Sequence, residues 1–216
     1  MSKIHHDIFN PERKKVFDKL SVFKKTGYLA GGTALALQIG HRRSYDFDVF
    51  TPQPLRKTIV KKLRDIFGDD IIIRIDNSDF LLVDTPEHVE LNFVYYWFPL
   101  LTKTVPTSSL TLASVEDIAA DKAHTIGRRA EWRDYVDLFY ILKHNILTFD
   151  TVIGNAQKKY GPEFNIRLFL EQLTYWDDIE NFSITFLQHE YTTEEIQEYL
   201  KSIAEEELKK RLKTIT

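Results

Sequence analysis

The chain contains no cysteine among its 216 residues. That absence excludes a disulfide framework, a zinc or iron–sulfur site with thiolate ligands, and a cysteine nucleophile. An excess of basic residues is also lacking, because 29 Lys and Arg stand against 32 Asp and Glu, for a formal net charge of −3. This balance excludes a generally basic nucleic-acid coat, while a local basic groove remains compatible with it.

Long apolar runs are absent as well. No stretch approaches the roughly 18 consecutive apolar residues that predict a membrane span, and residues 1–15 lack the apolar core that is typical of a secretory signal. Hydrophobic residues still make up 43% of the chain, and a chain of this length buries a sizeable core without disulfides or metals. We therefore expect a soluble, cytoplasmic protein without a membrane partner.

The first half of the chain alternates between helical and strand patterns. Apolar spacing predicts helices over residues 11–26, 33–39 and 55–67. Alternation of apolar and polar residues predicts strands over residues 28–32, 45–51, 71–75, 80–84 and 88–96. Gly31 and Gly32 form a turn at the end of the first strand, and Gly40 is a natural cap for the helix that follows.

The second half changes character at Ser114, where a helix-start signal appears. From there the pattern is helical almost to the end, with breaks near residues 127–131, 145–149 and 161–163. Thr192 and Glu195 form a capping box that opens a charged last helix. We expect two domains, an α/β half at 1–110 with a small mixed sheet flanked by helices, and a mostly helical half at 111–216.

Two aspartates follow the glycine turn within one predicted strand. Asp46 and Asp48 stand at positions i and i+2, so both carboxylates point to the same side of the sheet. Such a like-charged pair favours a cation between its members, and oxygen-only ligands favour Mg²⁺ or Mn²⁺. The Gly31-Gly32 turn at a helix start offers backbone N–H groups that suit a phosphate.

Each of these features has an ordinary alternative. An isolated D-x-D is usually a solvated strand face, and Gly-Gly is usually only a turn. Their succession within residues 28–50 is much rarer and indicates a site for a metal-bound nucleoside triphosphate. Glu90 shares a strand face with Asn92, and it could complete a metal triad or act as base for an attacking hydroxyl. Its alternative is a solvent-facing glutamate on an edge strand.

These residues carry a family resemblance. Residues 29–37 (LAGGTALAL) and 41–50 (HRRSYDFDVF) resemble the AbiEii/AbiGii toxin family, a branch of the DNA-polymerase-β-like nucleotidyltransferases. Residues 113–122 resemble that family's helix with a functional lysine, and Arg128 with residues 133–138 (RDYVDL) resembles its R…RD-x-x-DL signature. The resemblance spans about residues 27–142, and residues 143–216 resemble nothing that we can name.

The resemblance implies a nucleotidyltransferase fold and roles for individual residues. Asp46, Asp48 and Glu90 would hold Mg²⁺ or Mn²⁺ and act in catalysis. The nucleotide-binding residues would be Gly31, Gly32, Thr33 and Arg128. Lys122 and Asp137 would be catalytic, with Asp134 as a further candidate. The ordinary alternatives are a lysine that snorkels from an apolar helix face and an i, i+4 ion pair between Arg133 and Asp137.

The implied activity is transfer of a nucleoside monophosphate from an NTP to an acceptor hydroxyl, as the toxin of a bacterial toxin–antitoxin or abortive-infection system. By analogy with related toxins the expected acceptor is RNA, in particular a tRNA 3′ end, and a separately encoded antitoxin is expected. One alternative is a nucleotidyltransferase that modifies a protein or a small molecule. Another is a non-catalytic nucleotide-binding regulator. A basic helix face could contact an RNA backbone or only be solvated; it comprises Arg56, Lys57, Lys61, Lys62 and Arg64.

Overall fold

The computed structural model describes residues 3–129, 131–179 and 181–215, with side chains as far as Lys213. The chain divides into two compact units between Val115 and Glu116. Among the described residues, no helix combines the length and the apolar character needed to cross a membrane.

A five-stranded mixed sheet forms the centre of the first unit. Its strands are β1 (Tyr28–Ala30), β2 (Phe47–Thr51), β3 (Ile72–Asp76), β4 (Phe80–Asp84) and β5 (Glu90–Tyr95). Their order in the sheet is β1-β2-β5-β4-β3. The pair β2–β5 is parallel, and the other neighbours are antiparallel.

Three helices accompany this sheet: α1 (Pro11–Lys19), α2 (Gly31–Ile39) and α3 (Thr58–Phe67). Alternation in β2 buries Phe47 and Val49 on one face of the sheet and places Asp48 on the other. The Phe47 ring lies 6.1 Å from the ring of Phe17 in α1, which fixes that helix on the buried face.

The helix predicted over residues 11–26 is shorter than expected. It ends at Lys19, and the chain tightens into a 3₁₀ turn at Leu20–Phe23. The turn places the Phe23 ring 4.9 Å from the Phe93 ring of β5. Packing against the sheet has therefore overridden the helical pattern, and tight 3₁₀ turns are common at the ends of α-helices.

The second unit is helical. It contains α4 (Val115–Ile126, whose first residue belongs to the first unit), α5 (Trp132–Lys143), α6 (Phe149–Tyr160), α7 (Ile166–Gln172) and α8 (Thr193–Ile215). Helix α5 is its core, because Tyr135, Phe139 and the other residues from Asp134 to Leu142 are buried. The predicted capping box of α8 is confirmed, since Glu195 N–H donates to Thr192 Oγ1 at 3.1 Å and Thr192 N–H donates to Glu195 Oε2 at 2.7 Å.

Candidate active site

Parallel pairing of β2 with β5 sets Asp48 directly beside Asn92. The Asn92 amide donates to Asp48 Oδ1 at 3.2 Å and to Glu90 Oε1 at 3.3 Å. Asn92 therefore bridges the two carboxylates that the sequence proposes for one site. Asp46 immediately precedes β2, and continued alternation predicts that it shares the face of Asp48.

The glycine turn packs on the Asp48 carboxylate. Gly31 has a φ of +64°, which is the left-handed region that favours glycine. A Cβ atom added at Gly31 would collide with Asp48 Oδ2. The antiparallel register, which pairs Ala30 with Asp48, brings the start of α2 to this position. Glycine is therefore required here for both its backbone conformation and its lack of a side chain.

A buried arginine adjoins the second glycine of the turn. A Cβ atom added at Gly32 would lie 2.5 Å from Arg42 Nη2 and 3.4 Å from Ser44 Oγ. Arg42 is only 4% exposed, and its Nη1 donates to the carbonyl oxygen of Arg43 at 3.0 Å. The glycine turn is thus flanked by a cation and a hydroxyl, which is a donor set that suits a phosphate group.

Thr33 anchors helix α2 to the segment that enters β2. Its side chain is buried, and Oγ1 donates to the carbonyl oxygen of Asp46 at 2.5 Å. In this structure the hydroxyl therefore fixes the backbone at the first aspartate of the D-x-D. A nucleotide contact for Thr33 stays a prediction.

Both carboxylate oxygens of Glu90 accept hydrogen bonds. Its Oε1 accepts from Asn92, while Arg74 Nη2 donates to its Oε2 at 2.6 Å. The same Nη2 donates to Asp84 Oδ1 at 2.6 Å. A shift in the β3–β4 register between Ile73 and Ile75 frees Arg74 from the regular pairing. These contacts hold Glu90 with 37% of its side chain exposed.

The donor set fits a metal ion that arrives with a nucleotide. Within the described ranges, no three His, Asp or Glu side chains converge as a ready metal site. Mg²⁺ is commonly held by one or two carboxylates together with substrate phosphates, because it keeps part of its water shell. Asp48 in β2 and Asp46 just before that strand have carboxylates of this kind, and their role as metal ligands stays a prediction.

In the second unit, Lys122 lies between two buried carboxylates. Its Nζ lies 2.5 Å from Asp134 Oδ1 and 2.7 Å from Asp137 Oδ2. Both carboxylates have no exposed area, and the lysine side chain is 7% exposed. Arg129 Nε donates to Asp134 Oδ2 at 2.9 Å. Burial alone would raise the pKa of Asp134, but Lys122 and Arg129 beside it hold that pKa below its ordinary value.

The structure thus brings Lys122, Asp134 and Asp137 together. Arg128 instead contacts a backbone carbonyl oxygen. The exposed guanidinium of Arg128 donates to the carbonyl oxygen of Glu163 at 2.9 Å. That contact links the end of α4 to the 3₁₀ turn at Gly161–Glu163. A nucleotide contact for Arg128 stays a prediction.

A second buried lysine lies in the same unit. Lys159 Nζ lies 3.0 Å from Asp117 Oδ1 and 2.6 Å from Asp121 Oδ1. Burial raises the pKa of Asp121, against the opposing effect of Lys159 and of the Tyr160 hydroxyl that donates to it at 2.7 Å. The His124 ring stacks on Tyr160 with a centroid distance of 3.8 Å, and burial together with the nearby Arg128 lowers the pKa of His124 to about 4.

Three residues at the site were not predicted from the sequence to have a role there. Asn92 had a visible signal, because it shares its strand face with Glu90. Arg42 also had one, as a basic residue between the glycine turn and the D-x-D. The role of Arg74 had no local signal, since it depends on strand register and on a bulge.

Comparisons with known proteins indicate the family and the fold of the chain. The model of the family described as "Nucleotidyl transferase AbiEii toxin, Type IV TA system" matches residues 17–215. An uncharacterized protein of Aquifex aeolicus is 27% identical over 185 residues, which cover 84% of this chain and 87% of that protein.

Two solved structures are similar over most of their length. JHP933 from Helicobacter pylori has a TM-score of 0.58 and 18% identity, covering 98% of this chain and 97% of that chain. MenT4, a nucleotidyltransferase toxin from Mycobacterium tuberculosis, has a TM-score of 0.58 and 18% identity, covering 92% and 85%. The expected fold, a mixed sheet flanked by helices and followed by a helical half, is confirmed.

Proposed function

The chain belongs to the AbiEii family of nucleotidyltransferase toxins of type IV toxin–antitoxin systems, and from this premise we propose that it transfers a nucleoside monophosphate from an Mg²⁺-bound NTP to a hydroxyl of RNA. The proposed acceptor is a tRNA 3′ end. The observation that carries the proposal is the packing of Gly31 on the Asp48 carboxylate, because it joins a candidate phosphate turn to a candidate metal ligand.

Asp46 and Asp48 are the proposed metal ligands. Their two carboxylates on one strand face, without a third convergent ligand among the described residues, suit Mg²⁺ or Mn²⁺ carried in by the triphosphate. When bound, the metal neutralises phosphate charge and favours departure of pyrophosphate. Asn92 and Thr33 keep the two aspartates in position through the Asp48 side chain and the Asp46 carbonyl.

The glycine turn and Arg42 are the proposed binding site for the triphosphate. Backbone N–H groups at the start of α2 suit phosphate oxygens. Arg42 lies against Gly32 and adds a guanidinium that is positively charged throughout the physiological range. Gly31, Gly32 and Arg42 would together orient the triphosphate for attack at its α-phosphorus, so that catalysis rests on positioning and charge neutralisation.

Glu90 is the proposed acceptor of the proton from the attacking hydroxyl. The acceptor oxygen forms a bond to the α-phosphorus, the bond from that phosphorus to the bridging oxygen breaks, and pyrophosphate leaves with that electron pair. Arg74 and Asn92 hold the two oxygens of Glu90 and so fix its orientation. The predicted role of Glu90 as a third metal ligand stays open beside this one.

In the second unit, Lys122 and Asp137 are proposed to act in the reaction, and Arg128 in nucleotide binding, on the strength of the family resemblance. The buried pairing of Lys122 with Asp134 and Asp137 supports a fixed, charged lysine. Asp134 is proposed to hold Lys122 in place. The family also implies a separately encoded antitoxin as partner.

The proposal is tested by incubating the full chain with each α-labelled NTP, Mg²⁺ and total tRNA. We expect label on RNA from one or more NTPs and none with Asp48→Asn. The matched control is Asp76→Asn, which removes an exposed carboxylate from the edge strand β3. Label on protein would replace RNA by a protein acceptor, and Mg–NTP binding without transfer to any acceptor would favour the regulator.

A further inference from the structure

A second cationic cleft lies at the far end of β2 from the D-x-D. Its volume is about 310 Å³, and it is formed by the segment before β1, the end of β2 and the start of α3. Three cationic side chains line it: Lys25, Arg56 and Lys62. The other polar lining residues are Thr26, Thr51, Gln53 and Thr58. The Thr51 hydroxyl donates to the carbonyl oxygen of Gln53 at 2.7 Å, so the hydroxyls available to an anion are those of Thr26 and Thr58.

The positive charge of the cleft favours binding of an anion. None of the nine residues that line it is acidic, so the lining contributes three cations and no carboxylate. Lys62 Nζ lies 5.8 Å above the Phe23 ring, which orients that side chain. Thr58 is the first residue of α3, so the positive end of the helix dipole adds to the same field. Phosphate is the common biological anion that such a set of cations and hydroxyls binds.

The cleft is separate from the proposed triphosphate site. Thr51 stands three residues beyond Asp48, which is about 10 Å along an extended strand. Thr51 also belongs to the buried face of β2, whereas Asp48 lies on the other face. A phosphate in the cleft therefore cannot be the one that is attacked beside Asp48.

The cationic surface continues beyond the cleft along α3. Lys57, the N-cap residue of α3, and Lys61 and Arg64 within α3 follow the spacing i, i+4 and i+7, which places them in one row, and all three are exposed. Arg64 Nη1 also lies 3.7 Å from Asp69 Oδ1. A single small anion would use only the cleft. A row of cations that leads out of it suits a polymer with a regular series of phosphates.

We propose that this cleft binds a backbone phosphodiester of the acceptor RNA, away from the hydroxyl that receives the nucleotide, and that the α3 row contacts neighbouring phosphates. The inference rests on the proposed function only for the identity of the RNA as acceptor. The cleft then contributes to RNA affinity and leaves NTP binding to the Gly31–Asp48 site.

The test compares three full-length proteins by fluorescence anisotropy with labelled tRNA over a series of salt concentrations. The cleft variant carries Lys25→Gln, Arg56→Gln and Lys62→Gln. The control variant carries Lys201→Gln, Lys209→Gln and Lys213→Gln, which removes the same charge from exposed positions of α8. Thermal unfolding confirms that each variant is folded.

We expect the cleft variant to bind tRNA on the order of tenfold more weakly at moderate salt, with a log–log salt slope shallower by about one for each phosphate that it no longer neutralises. Its KM for NTP should match that of the wild type, and the control should bind tRNA as the wild type does. Equally weakened binding by both variants, or a raised KM for NTP with unchanged RNA affinity, would overturn the proposal.

The experiments distinguish failure of the RNA-binding cleft from failure of the proposed transferase function. If the wild type labels tRNA but the cleft variant binds it as tightly as the wild type, the cleft is not an RNA site and the transferase function stands. If tRNA binding depends on the cleft but no nucleotide is transferred to it, the cleft stands and the proposed acceptor is wrong. Competition by inorganic phosphate at millimolar concentration, without competition by a phosphate-free nucleoside, identifies the backbone phosphate as the group bound.

Discussion

Gly31 and Asp48 are in such close contact that a single added carbon at Gly31 would collide with the Asp48 carboxylate. The turn that suits a phosphate and the aspartate that suits a metal therefore form one steric unit. Any side chain at Gly31 must displace Asp48 or open the turn. The positive φ of Gly31 makes the same position unfavourable for the backbone of other residues.

Gly31→Ala should therefore lower kcat for nucleotide transfer strongly. It should lower the free energy of unfolding only modestly. The left-handed backbone costs an alanine about 1–2 kcal/mol in free energy of unfolding. Displacement of a catalytic group by about 1 Å lowers the rate on the order of 10²-fold. The measurement is kcat for labelled transfer beside the urea unfolding curve.

The matched control is Gly68→Ala. Gly68 also has a positive φ, of +88°, but an added Cβ atom there would meet nothing within 4 Å. It should lower stability and retain kcat. Similar kcat values for the two alanine variants would mean that the contact between Gly31 and Asp48 is not needed for the reaction.

Glu90→Gln should lower kcat by about 10²-fold or more, the usual contribution of a general base. Asp84→Asn is its control, because the same Arg74 Nη2 contacts Asp84 and Glu90 at 2.6 Å each. Asp84→Asn should change kcat little. If Glu90 is instead a metal ligand, Glu90→Gln will raise the Mg²⁺ concentration needed for half-maximal rate.

Lys122→Met should destabilise the protein and also lower kcat. Removal of the cation leaves the Asp134 and Asp137 carboxylates buried without it, which costs about 3–5 kcal/mol in free energy of unfolding. The decrease in kcat should persist at temperatures where the variant is fully folded, because the lysine is proposed to act in the reaction itself.

Lys159→Met provides the comparison for Lys122→Met. Lys159 is equally buried and also lies between two aspartates, Asp117 and Asp121. It should show a similar decrease in stability with kcat unchanged in the folded protein. A normal kcat for folded Lys122→Met would restrict Lys122 to a structural role.

Local signals in the sequence predicted most elements of the fold. Gly40 caps α2 in the left-handed conformation, as its position indicates. Thr192 and Glu195 form the expected capping box. Both features depend on residues within one helical turn of each other, and such interactions are encoded locally.

Contacts between side chains that are distant in the sequence could not be predicted from local patterns. The contact of Arg74 with Glu90 joins residues 16 apart through two strand pairings and a bulge. The sequence placed Lys122 on an apolar helix face, but its partner Asp134 is on another helix. The candidate residues were found by their chemistry, whereas their partners depend on register and packing, which periodicity does not specify.

The stability of the protein should fall as the pH is lowered from about 6.5 towards 4, and part of this fall should come from His124. The pKa of His124 is lowered to about 4 in the folded state, chiefly by burial. Between that value and the unfolded pKa of about 6.5, the unfolded chain binds more protons than the folded one, so acid favours unfolding. With allowance for solvent screening of a partly exposed ring, the contribution is on the order of 1–2 kcal/mol.

His124→Phe tests this assignment, because a phenyl ring can keep the stacking on Tyr160 but cannot titrate. The measurement is the free energy of unfolding in urea at several pH values between 7.5 and 4. The wild-type curve should fall more steeply than the variant curve below pH 6.5, and the difference should level off near pH 4. Other titrating groups, including Asp121, are common to both proteins and cancel in that difference. Parallel curves would show that His124 does not contribute to the acid sensitivity.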